Sequence, residues 1–294
     1  MPGDVPHRIL AHAKLNLSLR VLAREITGYH QIETIFCGLE LSDEIEIVRT
    51  ATGVTLEVAL PPEESGTPPD LGPLEQNLAF RAAAMFVATA SLEIGVHIRL
   101  VKRIPAGAGL GGGSSDAAAV LRALNEIAGH ALSDDELLAL GVRLGSDVPF
   151  FLADVPLALA WGRGERMIAL PPLPAAAVVL AVPPERVSTA EAYAALEGER
   201  RTVSTVLREP ASWHDVAAVA ENDFESVIFQ RHPRLAELRT ALEAAGAVVA
   251  RMTGTGSAIF AVFRDVMVAS EAVRRLEQAH PDVAAILTQT RASA

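Results

Sequence analysis

Residues 105–116, PAGAGLGGGSSD, hold five glycines and two serines between a strand-like run and a helix-like run. Gly107, Gly109, Gly111, Gly112 and Gly113 have no Cβ, so a ligand or another backbone can come close. The helix expected from about Ser115 to Ala128 turns unpaired N–H groups and a positive dipole end toward this loop. Such an arrangement binds anions, phosphate above all. The chemistry to expect is that of a nucleotide. Two further residues stand out by type. Of 25 basic residues, only Lys14 and Lys102 are lysine. A lysine kept among so many arginines suggests a need for a compact ammonium with movable protons, which a planar guanidinium cannot imitate. Lys14 lies in an apolar strand-like run, and Lys102 stands three residues before the loop. Asp147, in GSDVP, reads by type and place first as a helix-terminal turn residue, with a carboxylate general base as the alternative.

The elements that must position these groups follow from periodicity and punctuation. His12–Val21 alternates as a strand, so Lys14 and Asn16 leave the same face. After a turn around Thr27–Gly28, strands are expected at Ile32–Leu39, Glu44–Val48 and Val54–Leu60. Pro61–Pro73 is a proline-rich, acidic loop. Asn77 can cap a helix over Leu78–Leu92. Val96–Ile104 reads as the strand before the glycine loop. Ser133 to Glu136 has the form of a capping box, opening a helix to about Leu144 that GSDVP ends. Leu157–Leu170 is strand-like, and PPLP at 171–174 marks a hinge. Beyond it the pattern predicts a strand at Val178–Val182, a helix at Thr189–Leu196 and a polar segment. Helices then follow at His214–Phe229 and Pro233–Ala245. Strands at Val248–Met252 and Ala258–Phe263 flank a TGTGS loop, and a helix at Val266–Ala279 and a short strand close the chain. Helices segregated from a mostly antiparallel sheet define an α+β class. Two domains are expected, 1–164 and 165–294, a division that suits 294 residues.

The bulk composition limits the partners. A net charge of −11 argues against broad contact with nucleic acid. No apolar run approaches the roughly 18 residues of a membrane helix. MPGDVPHRIL lacks the charged-then-apolar pattern of a signal peptide. The single cysteine, Cys37, allows no internal disulfide and no multi-cysteine metal site. The expectation is a cytoplasmic protein, a monomer or weak homodimer, that acts on a small molecule.

The loop formally matches G-x-G-x-x-G over Gly107–Gly112, but its surroundings are not those of a dinucleotide site. Pro105 and Ala106 separate it from the strand, and no acidic residue ends a second strand about 20 residues on. Gly113 stands where a Walker loop has its lysine, and no HRD-type loop is present. The stretch PxGxGLGGGSS instead resembles the second motif of the galactokinase–homoserine kinase–mevalonate kinase–phosphomevalonate kinase (GHMP) superfamily. AKLNLSL at 13–19 resembles its first motif, and MTGTGSAIFAVF at 252–263 its third. GYHQIETIF at 28–36 and GSDVPFFL at 145–152 resemble the branch whose acceptor carries a cytidine diphosphate.

The resemblance implies a ribosomal S5 domain 2-like N-terminal domain and a ferredoxin-like C-terminal domain, with the site in the cleft between them. It implies ATP as co-substrate, with Mg²⁺, and direct in-line transfer to a tertiary hydroxyl of a cytidyl diphosphate substrate. Lys14 and Asp147 would be the catalytic pair. ATP would be held by Pro105, Ala106, Gly107, Ala108, Gly109, Leu110, Gly111, Gly112, Gly113, Ser114 and Ser115, with Asn77 and Lys102 at the adenosine. Ser114 and Ser115 can add hydroxyl ligands to phosphate or to Mg²⁺; no metal ligands are otherwise assigned. Asn16, Tyr29, His30, Thr189 and Tyr193 would contact the acceptor, His30 by stacking on the cytosine. Two rivals stand beside this reading. One is a GHMP kinase for homoserine, mevalonate or a sugar, and the other a catalytically silent nucleotide-binding regulator on the same fold.

Overall fold

The computed structural model describes residues 5–26, 28–61, 71–196 and 209–292. Thr27, most of the proline-rich loop and the polar segment after Leu196 lie outside the described residues. Two long strands open the fold: β1, His7–Arg24, and β2, His30–Thr50. The two runs expected at Ile32–Leu39 and Glu44–Val48 are therefore one strand. In Glu44-Ile45-Glu46-Ile47 both isoleucines are buried and both glutamates are partly exposed, as period two requires.

The chain forms two compact units. The first takes the chain up to Ala13, Leu41–Ala106 and Gly111–Asp154; the second takes Lys14–Glu40, Gly107–Leu110 and Val155 onward. These units differ from the continuous division at residue 164. Strands β1 and β2 contribute residues to both, so no one cut in sequence separates them.

In the first unit, β3 (Val54–Ala59) runs parallel to β4 (Gly95–Val101). The second half of β2 pairs antiparallel with β4, from Glu44 opposite Val101 to Thr50 opposite Gly95. Helix α1 (Leu78–Thr89) links β3 to β4. The Asn77 side chain caps it, accepting from the Ala79 N–H at 2.9 Å, and Ala79, Ala82, Ala83 and Phe86 form its buried stripe. Helix α2 (Gly112–Ile127) packs on α1. It starts three residues earlier than expected, so Gly112 and Gly113 belong to its first turn. The capping box forms as read: Glu136 accepts from the Ser133 N–H at 2.9 Å and opens α3, Asp134–Leu144. GSDVP ends α3 but also starts a short helix, α4 (Val148–Ala153), with Pro149 in its first turn.

The second unit holds the first half of β2, which pairs with β5 (Leu157–Gly162); β5 forms a hairpin with β6, Arg166–Ala169. The strand expected over 157–170 is thus two strands. Gly162 and Gly164 at positive φ make the turn, and Glu165 accepts from the Arg163 N–H at 2.7 Å within it. The remainder is β7 (Ala177–Val182), α5 (Thr189–Leu196), α6 (Trp213–Val219), α7 (Glu225–Arg231), α8 (Pro233–Ala244), β8 (Val249–Met252), β9 (Ile259–Phe263), α9 (Val266–Ala279) and β10 (Ala284–Gln289). The sheet order is β10-β7-β9-β8, antiparallel throughout. With α8 and α9 as crossovers, this is the ferredoxin-like βαββαβ arrangement. Its core joins Val179, Phe224, Leu238, Leu242, Ile259 and Phe263. One helix was expected over His214–Phe229, and two are present. Residues 220–223 leave helical geometry because Leu19 of β1 pairs with them, a tertiary demand that overrides local propensity.

Candidate active site

Strand β1 places Lys14 and Asn16 on one face of the second unit, both buried. The Lys14 ammonium donates to Asn16 Oδ1 at 2.6 Å and lies 5.3 Å from the centre of the Phe36 ring. Asn16 Oδ1 also accepts from the Gly254 N–H at 3.0 Å. Its Nδ2 donates to the Thr34 hydroxyl at 2.8 Å, which donates onward to the Ser18 carbonyl at 2.6 Å. A buried amide so fully bonded has one orientation.

The first half of the glycine loop, Gly107–Leu110, is fastened to the same strand and to the TGTGS turn. The Lys14 N–H donates to the Leu110 carbonyl at 3.0 Å, and the Ala258 N–H to the Ala108 carbonyl at 3.3 Å. The Thr253 hydroxyl donates to the Gly109 carbonyl at 3.2 Å. Gly109 has φ +82°, and a Cβ there would lie 2.1 Å from the Thr253 carbonyl oxygen, so only glycine fits. Two of the motifs noted in sequence therefore meet across this contact. Thr253 and Thr34 were missed as site-supporting residues. Thr253 lies inside the TGTGS motif, and Thr34 carries no signal beyond being a polar position beside Glu33 in a strand.

In the first unit, Gly111 caps α2 at φ +74°, and the Ser115 N–H makes the helical bond to its carbonyl at 2.9 Å. The amides of Gly111, Gly112, Gly113 and Ser114 thus precede the first bonded turn, the geometry expected of an anion site. Behind this turn lies a buried charge cluster. Lys102 donates to Asp116 at 2.9 Å and to Asp43, which also accepts from the Arg103 and Ile104 N–H groups at 2.6 and 2.8 Å. All three side chains are at most 5 % exposed. Burial pushes the Asp116 carboxyl up to about 8, against the lowering pull of Lys102. Burial alone would lower the Lys102 pKa; the charges of Asp116 and Asp43 outweigh it and hold the ammonium above its ordinary value. In this structure the Lys102 ammonium ties the end of β4 to α2 through Asp116. Asp43 and Asp116 were not singled out in sequence, where they look like ordinary strand-end and helix acids.

Asp147 is half-buried at the start of α4, and its carboxylate does not cap that helix. Asn77 caps α1 and Ser114 is half-buried in α2. Among the residues expected to contact the acceptor, His30 and Tyr193 stack with centroids 4.5 Å apart and planes 24° apart. Tyr193 meets the Phe224 ring edge-on at 4.9 Å. Thr189, one turn before Tyr193 on α5, has its hydroxyl 3.2 Å from that of Thr255. Tyr29 stands apart from the His30–Tyr193 pair: it is exposed, with the Arg163 guanidinium 3.9 Å over its ring and Arg163 paired to Glu25 at 2.5 Å. Among the described residues no group of three or more His, Cys, Asp or Glu side chains could hold a metal, and no helix is long and apolar enough to cross a membrane.

Residues 77–155 match the family model of the GHMP kinases N-terminal domain, and 208–282 that of the GHMP kinases C-terminal region. A 4-diphosphocytidyl-2-C-methyl-D-erythritol kinase from Geobacter sp. is 40 % identical over 92 % of this chain and 94 % of its own length. The chain belongs to this kinase family. A second member, from Pelotomaculum thermopropionicum, is 39 % identical over 96 % of each chain. The crystal structure of a 4-(cytidine 5'-diphospho)-2C-methyl-D-erythritol kinase superposes with a TM-score of 0.76 at 34 % identity, over 97 % of this chain and 99 % of that one. A homoserine kinase from Cytophaga hutchinsonii, at 16 % identity and a TM-score of 0.71 over 98 % of this chain and 95 % of its own, shares the fold. The α+β two-domain GHMP architecture is therefore established for this chain.

Proposed function

We propose that this kinase transfers the γ-phosphoryl group of ATP to the 2-hydroxyl of 4-diphosphocytidyl-2-C-methyl-D-erythritol, in the non-mevalonate isoprenoid pathway. The observation that carries the reading is the fastening of the buried Lys14 to a glycine loop, in a chain whose relatives of that name match it nearly end to end. The loop amides and the first turn of α2 hold the β- and γ-phosphates. Asn77 and the β4–loop junction at Lys102 accommodate the adenosine. The acceptor oxygen attacks the γ-phosphorus, the bond to the ADP oxygen breaks, and the hydroxyl proton passes to Asp147. Lys14 stabilises the developing negative charge, and Asn16 orients the acceptor. The donor set fits a Mg²⁺ ion that arrives on ATP, since the loop offers serine hydroxyls rather than a carboxylate cage. Ser114 and Ser115 would hold it, and when bound it neutralises charge on the β- and γ-phosphate oxygens. Tyr29, His30, Thr189 and Tyr193 recognise the cytidyl end. The reading extends to a cytoplasmic monomer or weak homodimer without a nucleic-acid partner, supported by the charge of −11 and the buried lone Cys37.

The acceptor assignment is tested at the base. CDP and CMP should compete with the acceptor and leave the KM for ATP unchanged. Base stacking on an aromatic side chain is worth about 1–3 kcal/mol. His30→Ala should therefore raise the acceptor KM roughly tenfold with little change in the KM for ATP. No competition by CDP, together with an unchanged acceptor KM in the variant, rejects the cytidyl reading.

A further inference from the structure

Residues 220–223, which interrupt the helix expected over 214–229, engage two elements of the second unit at once. Their backbone pairs with β1: the Leu19 N–H donates to the Glu221 carbonyl at 2.8 Å, and the Asp223 N–H to the Leu19 carbonyl at 2.9 Å. The Val21 N–H donates to the Asp223 carboxylate at 2.6 Å. From this anchored segment the buried Asn222 side chain extends to the 252–254 turn. Its amide donates to the Met252 carbonyl at 2.7 Å and to the Gly254 carbonyl at 2.8 Å, while its Oδ1 accepts from the Phe224 N–H at 2.9 Å. Both donors and the acceptor of this amide are used. An aspartate here would set an anionic oxygen against two carbonyls.

The same turn holds Asn16. Besides the Gly254 bond, the Thr253 hydroxyl accepts from the Asn16 N–H at 3.2 Å and lies 3.4 Å from Asn16 Oδ1. Asn16 in turn receives the Lys14 ammonium. Hydrogen bonds thus close a ring from β1 at Leu19 through 221–223, Asn222, the turn and Asn16 back to β1. Each step is buried or partly buried and short. The capping of Phe224 accounts for only one of the three bonds of Asn222; the other two fix the turn.

We infer that Asn222 is a positioning residue: by holding the Met252 and Gly254 carbonyls it sets the turn that fixes Asn16, and through Asn16 it aims the Lys14 ammonium. The inference rests on the role given to Lys14 above. A displacement of about 1 Å in such a constellation costs on the order of a hundredfold in rate. A group that only supports the fold would lower the yield of active enzyme without separating kcat from KM.

The test is steady-state turnover of the full chain with Mg·ATP and the cytidyl acceptor. Wild type is measured first: if it does not turn over, the proposed function fails, whatever the variants do. With wild type active, Asn222→Ala should lower kcat about ten- to a hundredfold, with the KM for ATP within twofold. Asn16→Ala should also lower kcat, and adding Asn222→Ala to it should cost less than a further twofold, because both changes act along one path. If Asn222→Ala does not yield folded protein, Asn222→Ser, which keeps one donor for the turn, carries the same comparison. A kcat within twofold of wild type, or effects of the two substitutions that multiply, overturns the inference.

Discussion

Lys14→Met and Asp147→Asn should each lower kcat by about three orders of magnitude, while ATP still binds within a few-fold of wild type. General-base assistance is worth roughly 10²–10⁴ in rate, and a charge aimed at a developing oxyanion about 10²–10³. Methionine keeps an unbranched side chain of similar length in the buried Lys14 position, and Asn16 Oδ1 keeps its bond from Gly254, so the fold persists. Asparagine keeps the size of Asp147 but cannot take a proton. In the proposed reading the ATP phosphates rest on loop and helix amides, which neither change touches. Turnover beside equilibrium titration with a non-hydrolysable ATP analogue separates the two effects. Near-normal turnover in both variants removes these residues from the chemistry.

Lys102→Met should produce the largest loss of stability among single substitutions near the loop, about 3–5 kcal/mol. The reason lies in what remains. Asp43 and Asp116 are both buried, and Lys102 is the cation bonded to each of them. Without it, the buried Asp43 carboxylate loses its counter-charge, and the Asp116 carboxyl, already pushed up to about 8 by burial, stays beside it away from water. Asp43 retains its two backbone donors, but Asp116 Oδ1 has no hydrogen-bond partner even in the intact cluster. Adding Asp116→Asn should recover part of the loss by setting an amide donor beside Asp43 in place of a second buried carboxyl group. Urea unfolding of the single and double variants reads this directly. A midpoint unchanged in Lys102→Met contradicts a buried, charge-balanced cluster. The cluster also gives the retention of lysine at 102 a physical basis: a compact ammonium with three donors fits between two carboxyl groups where a guanidinium fork would not.

Much of the site was legible because its chemistry is written in local sequence. The glycine loop, the Lys14–Asn16 alternation, the Asn77 cap and the Ser133–Glu136 box each depend on residues a few positions apart; the last three form as read, and the loop is shorter than read because Gly112 and Gly113 join α2. The misreadings have long-range causes. Leu19 recruits residues 220–223 out of a helix from some 200 positions away, which no window of sequence contains. The hairpin at Gly162–Glu165 was read as one strand because its flanks are apolar on both sides of the turn. The surroundings of Lys102 were illegible for the same reason: Asp43 precedes it by 59 residues and looks like a polar strand position. That β1 and β2 contribute to both units was not legible, since a long strand carries no mark where it passes from one to the other.

The most direct measurement is ADP release with Mg·ATP and 4-diphosphocytidyl-2-C-methyl-D-erythritol, run beside mevalonate and homoserine. The account predicts turnover with the cytidyl substrate alone, and a product phosphorylated at the 2-position. Turnover with mevalonate or homoserine, or ATP binding with no turnover of the cytidyl substrate, would contradict it.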